Sequence, residues 1–158
     1  MKERMAADAD EKGQIRYIRY KHVLEQYKKA MDAGFYLEAV TLMESIISDR
    51  LESRAIYLKK TNGFETLGKL CNILAEDDIL KDFIPLIKAW KDGRNRVLHE
   101  MSKIDNADIN EDFESKYNSA KLLGECGLCI FRKIDSAITK SKKSQTNTLA
   151  QQTNPSSE

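Results

Sequence analysis

Two side chains on one short stretch have the types and spacing for acid–base chemistry. Arg94 and His99 flank Asn95-Arg96-Val97-Leu98, so a histidine follows an arginine with four residues between them. A histidine with an unperturbed pKa near ~6.5 can take up or release a proton at neutral pH. An arginine stays protonated and offers paired donors to negative charge. Asn95 adds an amide that can orient a bound group, and Lys91 and Arg96 put more positive charge on the same segment. No cluster of Asp, His or Cys has metal-ligand spacing, so neither a metal nor another cofactor is expected. Cys126 and Cys129 form a CxxC, but no second pair or nearby histidine completes a zinc tetrahedron. Within a long helical pattern these two cysteines are expected to be small hydrophobes of the core.

The elements that must position these residues are helices. Apolar residues recur at helical spacing over 14–31 (Tyr20, Val23, Leu24, Tyr27, Met31), and Gly34 marks the turn. A longer helix is expected over 36–59, stopped by Asn62-Gly63, and a short one over 65–75. Glu76-Asp77-Asp78 reads as the start of a further segment, which Pro85 breaks or re-initiates as a helix running to about 101. A polar loop over 104–110 leads to a last helix over 111–140 with Phe113, Tyr117, Ala120, Leu123, Ile130, Ile134 and Ala137 on one stripe. The expected fold is all-α, an up-and-down bundle over 14–140. A flexible N-terminus of residues 1–13 precedes it, and a disordered polar tail over 141–158 follows.

Three charges fall on faces that should be apolar. On the second helix Glu44 and Arg54 share a stripe with Leu37, Val40, Ile47, Leu51 and Leu58. On the helix after Pro85, Arg94 lies inside the arc of Leu86, Ile87, Trp90, Val97, Leu98 and Met101. An unpaired buried charge costs several kcal/mol, so each needs a partner or a wet cleft. Glu44 either pairs with Arg94 or Arg54 as an interhelical salt bridge, or forms the polar floor of a site and holds its arginine. Trp90, with Ile87 and Leu86, is expected in the core or a dimer interface. Along a straight helix, five residues turn the chain by about 140°, so Arg94 and His99 diverge while Asn95 and His99 share a face. Either the helix is interrupted near Gly93, or Arg94 works with the histidine of a second subunit.

Arg94-Asn95-Arg96-Val97-Leu98-His99 resembles the signature of the HEPN family, an arginine followed after four to six residues by a histidine, commonly with a polar residue directly after the arginine. The long helix that opens Tyr36-Leu37-Glu38-Ala39-Val40 and ends Arg50-Leu51-Glu52-Ser53-Arg54, placed before the motif helix, also looks like that family, as does the long helix after it. The resemblance implies a homodimer whose motif helices face each other and cut an RNA substrate without metal. Arg94 would stabilise the phosphorane, His99 would do acid–base work and Asn95 would orient. Arg96 and Lys91 would bind flanking phosphates, with Glu44 holding the arginine in place and Arg54 as a further supporting residue behind the site. The family context implies a bacterial or phage conflict system, toxin–antitoxin or antiviral, with a cognate regulatory protein as a further partner. In HEPN toxins regulated by nucleotidylation a tyrosine stands two residues after the histidine; here that position is Met101.

Composition sets outer bounds. The chain has 158 residues and a net charge of +1, so any attraction for a polyanion must come from local clustering. No apolar run approaches the roughly 20 residues that span a bilayer, and residues 1–13 lack the apolar stretch of a signal peptide. With three cysteines, an odd number, the chain is expected to be cytoplasmic with reduced thiols. A non-catalytic helical dimer that binds a protein partner is the rival expectation, with Glu44, Arg54 and Arg94 as a structural network.

Overall fold

The computed structural model describes residues 9–100 and 113–152, and these form five helices with no strand among them. They are α1 (Ala9–Ala33), α2 (Tyr36–Tyr57), α3 (Leu67–Ile73), α4 (Ile84–Glu100) and α5 (Phe113–Gln152). The all-α bundle expected from periodicity is the fold. Met101 and the polar loop expected over 104–110 lie outside the described residues, as do 1–8 and 153–158.

Helix ends follow from backbone chemistry. α1 closes with Gly34 at φ +80°, where a left-handed residue lets Gly34 N–H reach the Met31 carbonyl (3.2 Å) and Phe35 N–H reach Ala30 (2.8 Å). α2 closes the same way one step early. Lys59 takes the left-handed position (φ 57°), and Lys60 N–H bonds the Ala55 carbonyl at 2.9 Å. Asn62-Gly63, the expected stop, therefore lies beyond the true end. α3 starts at Thr66, whose hydroxyl accepts from Lys69 N–H at 3.4 Å. Residues 74–83 form successive turns rather than the expected helical start, because Asp77 turns inward, 5% exposed, to meet a buried arginine. Pro85 then sits in the first turn of α4, where its missing N–H costs nothing. α5 continues to Gln152, twelve residues past Lys140, where the apolar pattern ends.

α2 is the hub. Ala39, Val40, Met43, Ile46, Ile47, Leu51 and Ala55 are all buried, and its most extensive packing is against α5. Gly124 and Gly127 allow that closeness. A Cβ on Gly127 would lie 2.9 Å from Met43 Cβ and 3.0 Å from the Trp90 ring. Around this junction Leu70, Leu74, Leu80, Ile87, Ile130, Ile134 and Ile138 complete the core.

α2 also makes a charged contact with α1, α4, α5 and the turns at 74–83. Glu44 meets Arg94 of α4, Asp49 meets Arg16 of α1 (2.8 Å), Arg50 meets Asp135 of α5 (2.8 Å), and Arg54 meets Asp77 (2.8 Å). A polar contact at a fixed point along each helix specifies register, which a smooth apolar seam does not. No helix among the described residues is long and apolar enough to cross a membrane.

Candidate functional site

The motif helix and α2 border an open groove of about 760 Å³. Thr41, Glu44, Ser45, Ser48, Asp49 and Glu52 form its α2 wall; Phe64, Glu65, Thr66, Leu67 and Gly68 close one side; Lys91, Arg94 and Asn95 come from α4. Serine and threonine along α2 keep the wall low, and Phe64 stands at the rim 91% exposed.

Arg94 is the fixed point. Its side chain is 16% exposed and its Nη2 donates to Glu44 Oε1, one of the two pairings open to Glu44, the other being Arg54. Burial lowers the Arg94 pKa from the ordinary arginine value. Its Nε is buried with no hydrogen-bond partner among the described residues, a donor whose desolvation costs about 1–3 kcal/mol. Arg54 Nη1, in a structural pair with Asp77, is left in the same way, so the open donor is a consequence of burying arginines against α2. Asn95 lines the same groove next to Arg94. His99 is exposed one turn further along and does not line the groove, and Arg96 is exposed as well. α4 is unbroken from Ile84 to Glu100, so no interruption at Gly93 brings Arg94 and His99 together within one chain. Gly93 instead faces Leu123, whose Cδ2 would be 3.1 Å from an added Cβ.

Arg54 lies elsewhere. It is 6% exposed, with Nη2 and Nε donating to the two Asp77 oxygens at 2.8 and 3.3 Å and its Cζ 5.4 Å from the centre of the Tyr57 ring. It anchors the turns at 74–83 and does not line the groove. Trp90 is core: it is 3% exposed, and its indole N–H donates to the Leu123 carbonyl at 2.9 Å.

Sequence reading missed the carboxylates. Asp49 and Glu52 line the groove beside Glu44, and Glu65 faces them from the loop, so the α2 side is acidic while Lys91 and Arg94 are on the α4 side. Asp49 is engaged: its Oδ2 accepts from Tyr20 O–H (2.6 Å) and Arg16 Nε–H (2.8 Å). Burial, reinforced by Asp49, raises the Tyr20 pKa beyond the ordinary tyrosine range, so the phenol stays protonated as a donor. Asp49 lies on the far side of α2 from the apolar stripe, about 120° from its nearest edge, where a charge looks like an ordinary solvated residue. The partners of Asp49, Arg50 and Asp77 lie on other helices or turns, where one-helix periodicity has no signal.

The two cysteines of the CxxC are exposed, contrary to the expected core role. Cys129 points away from the buried face of Ala120, Ile130 and Ile134, and Cys126 lies at the edge of that face, one turn before Ile130. Cys71 is the buried thiol, its pKa raised by burial. No protein-family model, curated protein or solved structure matches the chain.

Proposed function

We propose that this protein is a metal-independent endoribonuclease of HEPN type, acting as a homodimer in a bacterial or phage conflict system. The observation that carries the reading is Arg94: a half-buried guanidinium held by Glu44 at a groove, beside Asn95, with an exposed His99 one turn along an unbroken α4. Because Arg94 and His99 diverge around α4, a second copy must bring its histidine to the first copy's arginine. An exposed histidine is free to be supplied in that way.

In the reaction His99 removes the ribose 2′-hydroxyl proton, the 2′-oxygen attacks phosphorus as the P–O5′ bond breaks, and the imidazolium so formed returns the proton to the departing 5′-oxygen, giving a 2′,3′-cyclic phosphate and a 5′-hydroxyl. Arg94 donates to the pentavalent phosphorane, and Asn95 orients the phosphate. RNA would approach over α4, where Lys91 and Arg96 lie, because Asp49, Glu52 and Glu65 repel phosphates from the α2 wall.

The test is cleavage of mixed RNA in excess EDTA by wild type, Arg94→Ala and His99→Ala, each checked for folding and mass. Wild-type cleavage with cyclic ends, lost in both variants and restored by mixing the two, supports the reading. Persistence in His99→Ala overturns it. The same acidic wall favours one second reading, a non-catalytic module whose groove takes a basic protein segment. A folded dimer that cuts no RNA would put that reading first.

A further inference from the structure

Cysteine is among the most buried residue types, and a free thiol in solvent is usually avoided. Here two stand exposed, Cys126 and Cys129, one helical turn apart on the same face of α5. Their spacing puts the Cβ atoms about 5–6 Å apart. The thiols can therefore turn toward each other and hold one soft cation with both sulfurs, metal–sulfur bonds being about 2.3 Å.

One chain cannot finish such a site. Among the described residues no group of three or more His, Cys, Asp or Glu could hold a metal. The surface around the pair indicates what completes it. Ser119, Leu122, Cys126 and Cys129 follow one another at steps of three, four and three along the solvent face of α5, and Leu122 is 65% exposed. That spacing matches about one and a half heptads of the seam along which two helices meet, and Leu122 supplies its exposed apolar residue. A twofold axis parallel to α5, or one crossing it at the level of Cys126 and Cys129, brings the two thiol pairs together, because an isologous contact then meets its own image.

We propose that Cys126 and Cys129 form half of a tetrahedral tetrathiolate site for a zinc-type divalent cation, completed by the same two residues of a second copy across α5. On binding, four thiols each release one proton to solvent and four metal–sulfur bonds form, leaving a site charge of −2. Lys133, one turn after Cys129, offsets part of that charge, while the exposed Glu125 beside Cys126 adds to it. The contact lies on α5, so it does not depend on the α4 site and can join two chains or two α4-paired dimers.

Full-length protein, reduced with a phosphine and kept anaerobic, is titrated with zinc chloride while molecular mass is followed by light scattering. Cobalt replaces zinc in a parallel titration. The expected result is one zinc for every two chains, a doubling of the metal-free mass, and intense sulfur-to-cobalt absorption with tetrahedral ligand-field bands. Cys126→Ser and Cys129→Ser should each lose the mass change and the cobalt bands at unchanged helical circular dichroism, whereas Cys71→Ala keeps both. Zinc bound one per chain without a mass change overturns the shared site, and so does binding that survives in the Cys126→Ser/Cys129→Ser double variant.

Discussion

Glu52 illustrates how a single carboxylate records its surroundings. Desolvation, with Asp49 and Glu65 adding like charge and Arg16 opposing them, raises its pKa above the ordinary glutamate value. A carboxyl whose folded pKa exceeds its unfolded one is bound more tightly to its proton in the folded state. Its ionisation therefore removes stability as pH rises from the unfolded pKa, about 4.3, through the folded one. Glu52→Gln should raise the melting temperature at pH 7 and leave it unchanged near pH 3, where both forms are neutral. Thermal scans at the two pH values check this, and a gain of the same size at both would contradict the assignment. The residue also limits catalytic readings of the groove, since an ionised Glu52 repels a phosphate from the α2 wall while leaving the α4 side open.

Among the elements, α2 ends in a way that its sequence conceals. The left-handed position that closes the helix is held by Lys59 at φ 57°, where glycine is the usual occupant. A side chain there costs about 1–2 kcal/mol, and glycine returns part of this as greater freedom of the unfolded chain. Lys59→Gly is expected to gain about 0.5–1 kcal/mol, seen as a rise in melting temperature of about 1–4 °C. The same masking explains which boundaries were legible. Gly34 announces its turn, and the break between α1 and α2 follows directly. Asn62-Gly63 announces one that the chain has already made. Asp77 looks like a helix start because an acidic run favours one, yet its carboxylate is drawn inward by Arg54, twenty-three residues earlier. At the candidate site, Glu44 and Arg94 were visible as charges on apolar stripes and do meet. Asp49, Glu52 and Glu65 were not, because what collects them is packing between elements.

At the scale of the molecule, the bundle depends on one crowded crossing. α2, α4 and α5 meet at Gly127, with Met43 Cβ and the Trp90 ring each within about van der Waals reach of a missing methyl group. An alanine would gain up to about 1 kcal/mol of helix propensity, but it would have to displace a Cβ and a tryptophan that have nowhere to go. We expect Gly127→Ala to cost about 1–2 kcal/mol net in urea unfolding, despite improving α5 as an isolated helix. A gain in stability would mean that the helices separate more easily than this crossing implies. The charged contacts of α2 act on the same architecture, giving α1, α4 and α5 one fixed register each and holding the turns at 74–83. Arg94 thus has its position set twice, by the helix that packs through Trp90 and by Glu44.

The chain has a single tryptophan, and it stands at that crossing with its indole N–H committed to the Leu123 carbonyl. The protein therefore carries its own optical probe. Light emitted from a ring shielded from water is shifted to the blue and resists quenching by solutes, and nothing else in the sequence contributes indole signal. Undocking of α4 from α5 would move the spectrum to the red before the rest of the bundle opens. Whether α4 shifts when two copies meet, or when RNA arrives, can be read from the colour of one residue without any label.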